Sequence, residues 1–281
     1  MKYKIENELL LVEIESFGAE LQRMCAKKDN HEYIWTGDPT IWKGRAPVLF
    51  PIVGVLAQNM YLYKNKKYTM KKHGFARDTE FELATQNENV LELFFSDCEK
   101  TFEIFPFHFR FNVRFALEGA KLTVSHTVTN TGLEEMWFSL GAHPAFRCDL
   151  GDKLVFEKED TIGAFRLENN LLTEKKEPFT EQTDTWYIKA DSFDKDAVIL
   201  EDFPSKTVML ERQEGHNIQF DFNAPYLGIW AKPGAPYVCL EPWFGLDDTP
   251  THNGDFTQKK GIERLDAGKS LTLTYVVEVT T

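Results

Sequence analysis

Most of the short signatures of familiar chemistries are missing from this sequence. It contains no P-loop, dinucleotide fingerprint, G-x-S-x-G elbow or H-E-x-x-H pair, which removes support for phosphoryl transfer, hydride transfer, serine hydrolysis and zinc proteolysis. Cysteine is scarce. Cys25, Cys98, Cys148 and Cys239 are scattered with no C-x-x-C pair, as expected of free thiols in a reducing cytoplasm. The seven histidines show no ligand spacing, so a metal site is not expected. No basic-plus-apolar leader opens the chain, and no apolar run approaches the ~20 residues of a membrane span. Cationic excess is absent too. A net charge of -12 excludes a phosphate-binding surface for nucleic acid and gives no support to docking on anionic membranes.

Aromatic residues, by contrast, are abundant, at 14% of 281 residues with 23 Phe and 6 Trp. Such rings suit sheets packed face to face or a ligand cleft, and composition does not separate the two. The length fits one large domain or two small ones. Without a repeat or a low-complexity linker, one domain over 1–281 is the simpler expectation.

Period-two alternation runs through the chain. In residues 107–117, Phe107, Phe109, Phe111, Val113, Phe115 and Leu117 share one face, and His108, Arg110, Asn112, Arg114 and Ala116 the other. Glu118-Gly119-Ala120 is a turn, after which Leu122, Val124, His126 and Val128 alternate with Thr and Ser, giving an antiparallel hairpin. Further strands are expected at 9–15, 90–96, 217–222, 226–231, 237–241 and 271–279. Segment 158–197, rich in charge and weak in pattern, reads as excursions from the sheet. Helical periodicity never extends beyond about ten residues. The fold class is therefore all-β, a large antiparallel sandwich or barrel with few short helices.

Four stretches could carry chemistry. In Trp137–Phe146, WFSLGAHPAF, Pro144 biases His143 toward extended geometry, holding an imidazole at a strand end where it could carry a proton. In Tyr237–Trp243, YVCLEPW, a strand would put Tyr237, Cys239 and Glu241 on one face. Pro242 would then fix Glu241 at the strand end, among aromatics that strengthen it as a base. In Lys72–Arg77, KHGFAR, His73 and Arg77 could meet one ligand, while the plainer reading is a turn. Arg45, ahead of a proline-bounded apolar run, reads by itself as a surface arginine. Together these groups form either an acid/base pair or a sugar-binding cleft.

Gly44-Arg45, His73-Gly74-Phe75, Gly141–Phe146 and Leu240-Glu241-Pro242, followed by Gly261–Gly268 before a last alternating strand, resemble the aldose 1-epimerase (galactose mutarotase-like) family. Within it the chain resembles most the LacX-like branch. The resemblance spans about residues 5 to 279 in the expected order. It implies a galactose mutarotase-like supersandwich and interconversion of the α and β anomers of a hexose, without a cofactor. By the same resemblance Glu241 is the general base at the anomeric hydroxyl and His143 the general acid at the ring oxygen. His73 bonds substrate near the reacting centre and Arg45 orients it. The galactose-specific members carry an Asp–His pair for a distal hydroxyl; here only Asp196, in KDAVIL, matches. HGFAR with Arg77 is similar to the hexose-6-phosphate 1-epimerase branch, where arginines receive the phosphate. A non-catalytic sugar binder on the same fold is the alternative. The expected partner is a small sugar or sugar phosphate, for a monomer or homodimer.

Overall fold

The computed structural model describes residues 1–280. Strands take up 52% of the chain and helices 5%, in large antiparallel sheets. The hairpin read from the sequence is present as Phe109–Glu118 paired with Lys121–Asn130, with Leu117 opposite Leu122, Phe115 opposite Val124 and Phe111 opposite Val128. Alternation makes this pairing inevitable. Phe109, Phe111, Val113, Phe115 and Leu117 are all buried, and a slip of one residue would turn every one of them to water. Each buried ring contributes about 1.5–3 kcal/mol, so truncating Phe111 to alanine costs about 3–5 kcal/mol.

These two strands belong to a 15-stranded sheet. Its path runs from Val48–Leu49 through Leu140–Ala142, Tyr237–Phe244, Tyr226–Trp230, Val198–Glu201 and Lys153–Phe165. It continues through Thr207–Glu211, Asn217–Phe222 and Ser270–Thr280 to the hairpin, then Val90–Ser96 and Glu82–Gln86. A separate sheet, Lys2–Glu6, Leu10–Glu15 and Glu20–Ala26, sends Ile5, Val12, Ile14, Leu21 and Met24 into the same core. Phenylalanines fill that core. The Phe50 ring lies 5.0 Å from both Phe109 and Phe111, with Phe75, Phe95, Phe105 and Phe138 around it. Helix is confined to Glu99–Ile104 and three short 3-10 turns.

Two expectations are corrected. Segment 158–197 is not a set of excursions. Lys153–Phe165 and Glu177–Tyr187 pair with each other through three register shifts, and the first also pairs with Thr207–Glu211 and Val198–Glu201. Glu157, Lys158, Glu159, Asp160 and Thr161 are exposed, so this arm is wet on both faces and shows no apolar alternation. Nor does Pro242 end its strand, which continues to Phe244. Leu240 donates its N–H to the Pro144 carbonyl, so the N–H that Pro242 lacks would point the same way. There the neighbouring strand is itself interrupted by His143-Pro144, between Leu140–Ala142 and Ala145–Arg147. The two prolines thus sit across one gap, where a missing donor costs little.

Candidate active site

That gap is the floor of a cleft of about 520 Å3 at one end of the long sheet. His143 hangs from the interruption, with its N–H on the Pro47 carbonyl at 3.1 Å. Glu241 comes from the adjacent strand, paired across to Gly228. Their side chains converge, with Nε2 of His143 3.3 Å from Oε1 of Glu241. Both are buried, at 8% and 2% exposure, yet both line the cleft. Neither Nδ1 of His143 nor Oε2 of Glu241 has a hydrogen-bond partner among the described residues.

Indoles build the walls. Trp42 stacks on the His143 ring at 5.1 Å, and Trp230 meets it edge-on at 5.7 Å. Trp243 lies beneath, and two glycines make room for it. A Cβ on Gly141 would stand 2.8 Å from Trp243 Cδ1, and one on Gly228 would stand 2.6 Å from its Cζ2. The glycine of GAHP is therefore a packing requirement of the EPW tryptophan. Phenylalanine thus serves mainly the core, although Phe193 lines the cleft with three of the six tryptophans.

His73 is held in the left-handed region, at φ 66°. Its own N–H donates to the Gly54 carbonyl at 2.8 Å, and its Nδ1 accepts the Gly54 N–H at 3.0 Å. Accepting at Nδ1 fixes the neutral ring as the Nε2–H tautomer, which leaves a donor for a ligand. The ring stands edge-on to His143 at 5.9 Å.

Charges around this floor are unequal. Burial pushes the Glu241 carboxyl well above the usual carboxylate range, opposed by the nearby Lys72 and reinforced by Asp247 and Asp196. Burial likewise takes His143 down to about 3, helped by Lys72 and Arg77, and holds His73 well below the usual histidine range. Burial therefore favours a pair that is neutral in sum, carrying one proton between a carboxyl and an imidazole.

The other expected residues separate. Arg77 lines the cleft, with its guanidinium donating to the Lys72 carbonyl at 3.0 Å, and burial lowers its pKa. Asp196 also lines it, at φ 64°, with Oδ1 accepting the Ala197 N–H at 2.8 Å. Arg45 is not among the lining residues. It donates to the Gln22 carbonyl at 2.9 Å, and its own N–H bonds Glu20 at 2.8 Å. This placement joins the N-terminal sheet to the approach of Val48–Leu49 and gives no support to a direct contact with substrate.

Sequence reasoning missed Lys72, Trp42, Trp230 and Asp247, all of which line the cleft. Asp247 is buried, and its Oδ1 accepts the Val55 N–H at 2.7 Å. Lys72 directly precedes His73 and could have been weighed with it. The signal for Asp247, a tandem Asp247-Asp248 after a glycine, does not distinguish a buried carboxylate from a surface one.

Comparison with known proteins accords with this geometry. Residues 1–262 match the aldose 1-epimerase family. The chain belongs to that family. It is 31% identical to the plasmid-borne LacX protein of Lactococcus lactis subsp. lactis, over 92% of this chain and 93% of that protein. A galactose mutarotase related enzyme from Lactobacillus acidophilus superposes with a TM-score of 0.95 at 30% identity, covering 100% of this chain and 98% of the other. A galactose mutarotase-like protein from Lactobacillus casei gives 0.94 at 31% identity, covering 100% of both chains. A sugar epimerase of the galactose mutarotase-like fold is the common denominator.

Proposed function

We propose that the protein is a cofactor-independent aldose 1-epimerase that interconverts the α and β anomers of an aldohexose, with His143 and Glu241 as its acid/base pair. The supporting observation is the 3.3 Å separation of Nε2 and Oε1 in an indole-walled cleft. The anomeric hydroxyl oxygen and the ring oxygen are both bonded to C1, so an acid and a base serving them must stand side by side. Indole faces suit the C–H face of a pyranose.

In the productive tautomer Glu241 is a carboxylate and His143 an imidazolium. Glu241 takes the proton from the C1 hydroxyl while His143 gives one to the ring oxygen. The C1–ring oxygen bond breaks and a carbonyl forms at C1. Rotation about C1–C2 presents the other carbonyl face. The C5 hydroxyl then attacks C1, returning its proton to His143, as the carboxyl of Glu241 reprotonates the carbonyl oxygen. Protons balance over the cycle, and no oxidant or metal is consumed. Burial favours the carboxyl–imidazole tautomer at rest, but both tautomers carry the same proton count and each offers one donor and one acceptor. Each group contributes a factor on the order of 10²–10⁴. His73, through Nε2–H, would hold a substrate hydroxyl, with Asp196 and Asp247 as acceptors.

A second reading is favoured by one observation. Lys72 and Arg77 line the same cleft, giving it two cations in an acidic protein. A hexose 6-phosphate is therefore a candidate substrate beside the free sugar. We place the protein in the cytoplasm, where its four scattered cysteines would stay reduced.

The test is polarimetry on freshly dissolved α-glucose, α-galactose and their 6-phosphates. Acceleration is expected on at least one. A folded protein that accelerates none, yet binds sugar calorimetrically, would be a binder and not an epimerase.

A further inference from the structure

The acid/base reading leaves one buried thiol beside the His143–Glu241 pair unused. Cys239 stands two positions before Glu241 on the strand Tyr237–Phe244 and so shares its face. Its Sγ, a ring nitrogen of His143 and a carboxylate oxygen of Glu241 all lie within 4.8 Å of one another. All three residues are buried, and Nδ1 of His143 and Oε2 of Glu241 have no partner among the described residues.

Thiolate, imidazole and carboxylate are the three ligand types of zinc, at bond lengths of ~2.3, ~2.0 and ~2.1 Å. In a tetrahedron of those bonds the nitrogen and oxygen donors stand roughly 3.3 Å apart and sulfur roughly 3.5 Å from either. Nε2 and Oε1 already have the first spacing, at 3.3 Å. The longest separation the cluster allows is 4.8 Å, so coordination requires the donors to draw together by up to about 1.3 Å. Three protein ligands leave a fourth position, and two of the three, His143 and Glu241, line the cleft. A sulfur donor selects Zn2+ and Co2+ over the oxygen-seeking Mg2+ and Ca2+.

We propose that His143, Cys239 and Glu241 form an inhibitory site for a thiophilic divalent cation, Zn2+ above all. Binding displaces the Cys239 thiol proton and the proton that the His143–Glu241 pair shares. With both groups coordinated, neither donor nor acceptor remains for the sugar. The cation thereby switches turnover off, and a chelator switches it on again. The inhibitory consequence rests on the acid/base reading above; the site itself does not.

Two readouts keep the site and the acid/base reading apart. They are made on the full chain in a Cys98→Ser background, because Cys98 is the exposed cysteine. Zinc chloride titrated into the polarimetric assay is expected to suppress catalysed mutarotation at micromolar concentration, with recovery on adding EDTA and no effect of millimolar Mg2+. Cobalt chloride is expected to give a thiolate-to-cobalt charge-transfer band at one equivalent, bleached by zinc. Cys239→Ser, checked by thermal melting beside Cys239→Ala, should lose the band and keep metal-free turnover. It should also raise the zinc needed for inhibition by at least about 10–100-fold, the loss that removing even an outer partner of a metal ligand causes. Unchanged zinc sensitivity in both variants, or no thiolate band in the parent, overturns the metal site. A band without turnover on any sugar leaves the metal site standing and removes the epimerase reading. Turnover without band or zinc inhibition does the reverse.

Discussion

Two histidines of this chain are both buried and differ in what surrounds them. His126 sits in the strand Lys121–Asn130 with its ring near Phe111 and Tyr275. His143 sits at a broken strand between Trp42 and Glu241. Burial takes each down to about 3 from an ordinary 6.5. A depressed histidine is thus no mark of a functional site. What separates them is a partner that can exchange a proton and a cleft that admits a ligand. His126 has neither, and its Nδ1 is unpartnered in an apolar core. The sequence signals differ accordingly: His126 takes an apolar slot in a period-two pattern, whereas His143 precedes a proline where the pattern breaks.

The sharpest way to break this comparison is to neutralise each histidine in turn. His143→Asn and Glu241→Gln are each expected to lower the catalysed rate by about 10²–10⁴-fold in polarimetry. His126→Leu should leave it within about twofold, as expected of a side chain that touches no reacting group. Wild-type rates in either cleft variant would remove its assigned role.

A pH profile of the rate sharpens the comparison further. The pair works while it holds one proton, a window that ordinary values of 4.5 and 6.5 would close on the alkaline side near neutrality. With His143 at about 3, the acid limit of the window falls below its ordinary place near 4.5, and the alkaline limit passes to the raised Glu241 carboxyl. A rate that holds steady as pH falls from about 5 to about 4 is expected. A narrow bell centred near pH 5.5 would show that burial does not govern the pair.

Replacing the cations of the cleft has a smaller effect. Lys72→Met and Arg77→Ala should lower kcat/KM for a hexose 6-phosphate about tenfold more than for the free hexose, the worth of one charge-assisted hydrogen bond. Equal losses on both sugars would contradict a phosphate contact.

Stability gives the smallest and most selective signals. For His126 the unfolded chain takes up a proton below about pH 6.5 that the folded chain refuses, so stability falls as pH drops from there toward 3. His126→Leu should flatten that slope in urea unfolding and gain about 1 kcal/mol at acidic pH by removing an unpartnered buried polar atom. Glu241 acts in the opposite direction. Its folded carboxyl holds a proton that the unfolded one releases above about pH 4.5, so its contribution is lost as pH rises through the raised folded value. Glu241→Gln should therefore raise the melting temperature, by more at about pH 8 than at about pH 5. A gain independent of pH would mean that the carboxyl is not perturbed by burial.

The sequence carried the scaffold well where one face is dry. Val90–Ser96 and Asn217–Phe222 match their expected bounds, because alternation between core and water writes itself into residue type. It carried the middle of Lys153–Phe165 poorly, because Glu157, Lys158, Glu159, Asp160 and Thr161 are exposed on both faces and impose no pattern. Arg45 illustrates the opposite hazard. By itself it reads as a surface arginine, the family resemblance gives it a substrate-orienting role, and the fold puts its guanidinium on the Gln22 carbonyl.

By itself, the sequence determined the all-β class, the central hairpin, the family and a proline-bounded histidine and glutamate, since each is written in local pattern or residue order. Tertiary structure alone decided that these two side chains stand 3.3 Å apart, that three tryptophans line their cleft, and that the Cys239 thiol lies within 4.8 Å of them. The reason is physical. His143 and Glu241 lie on neighbouring strands almost a hundred residues apart, and strand order is fixed by the packing of the whole sheet and not by either segment.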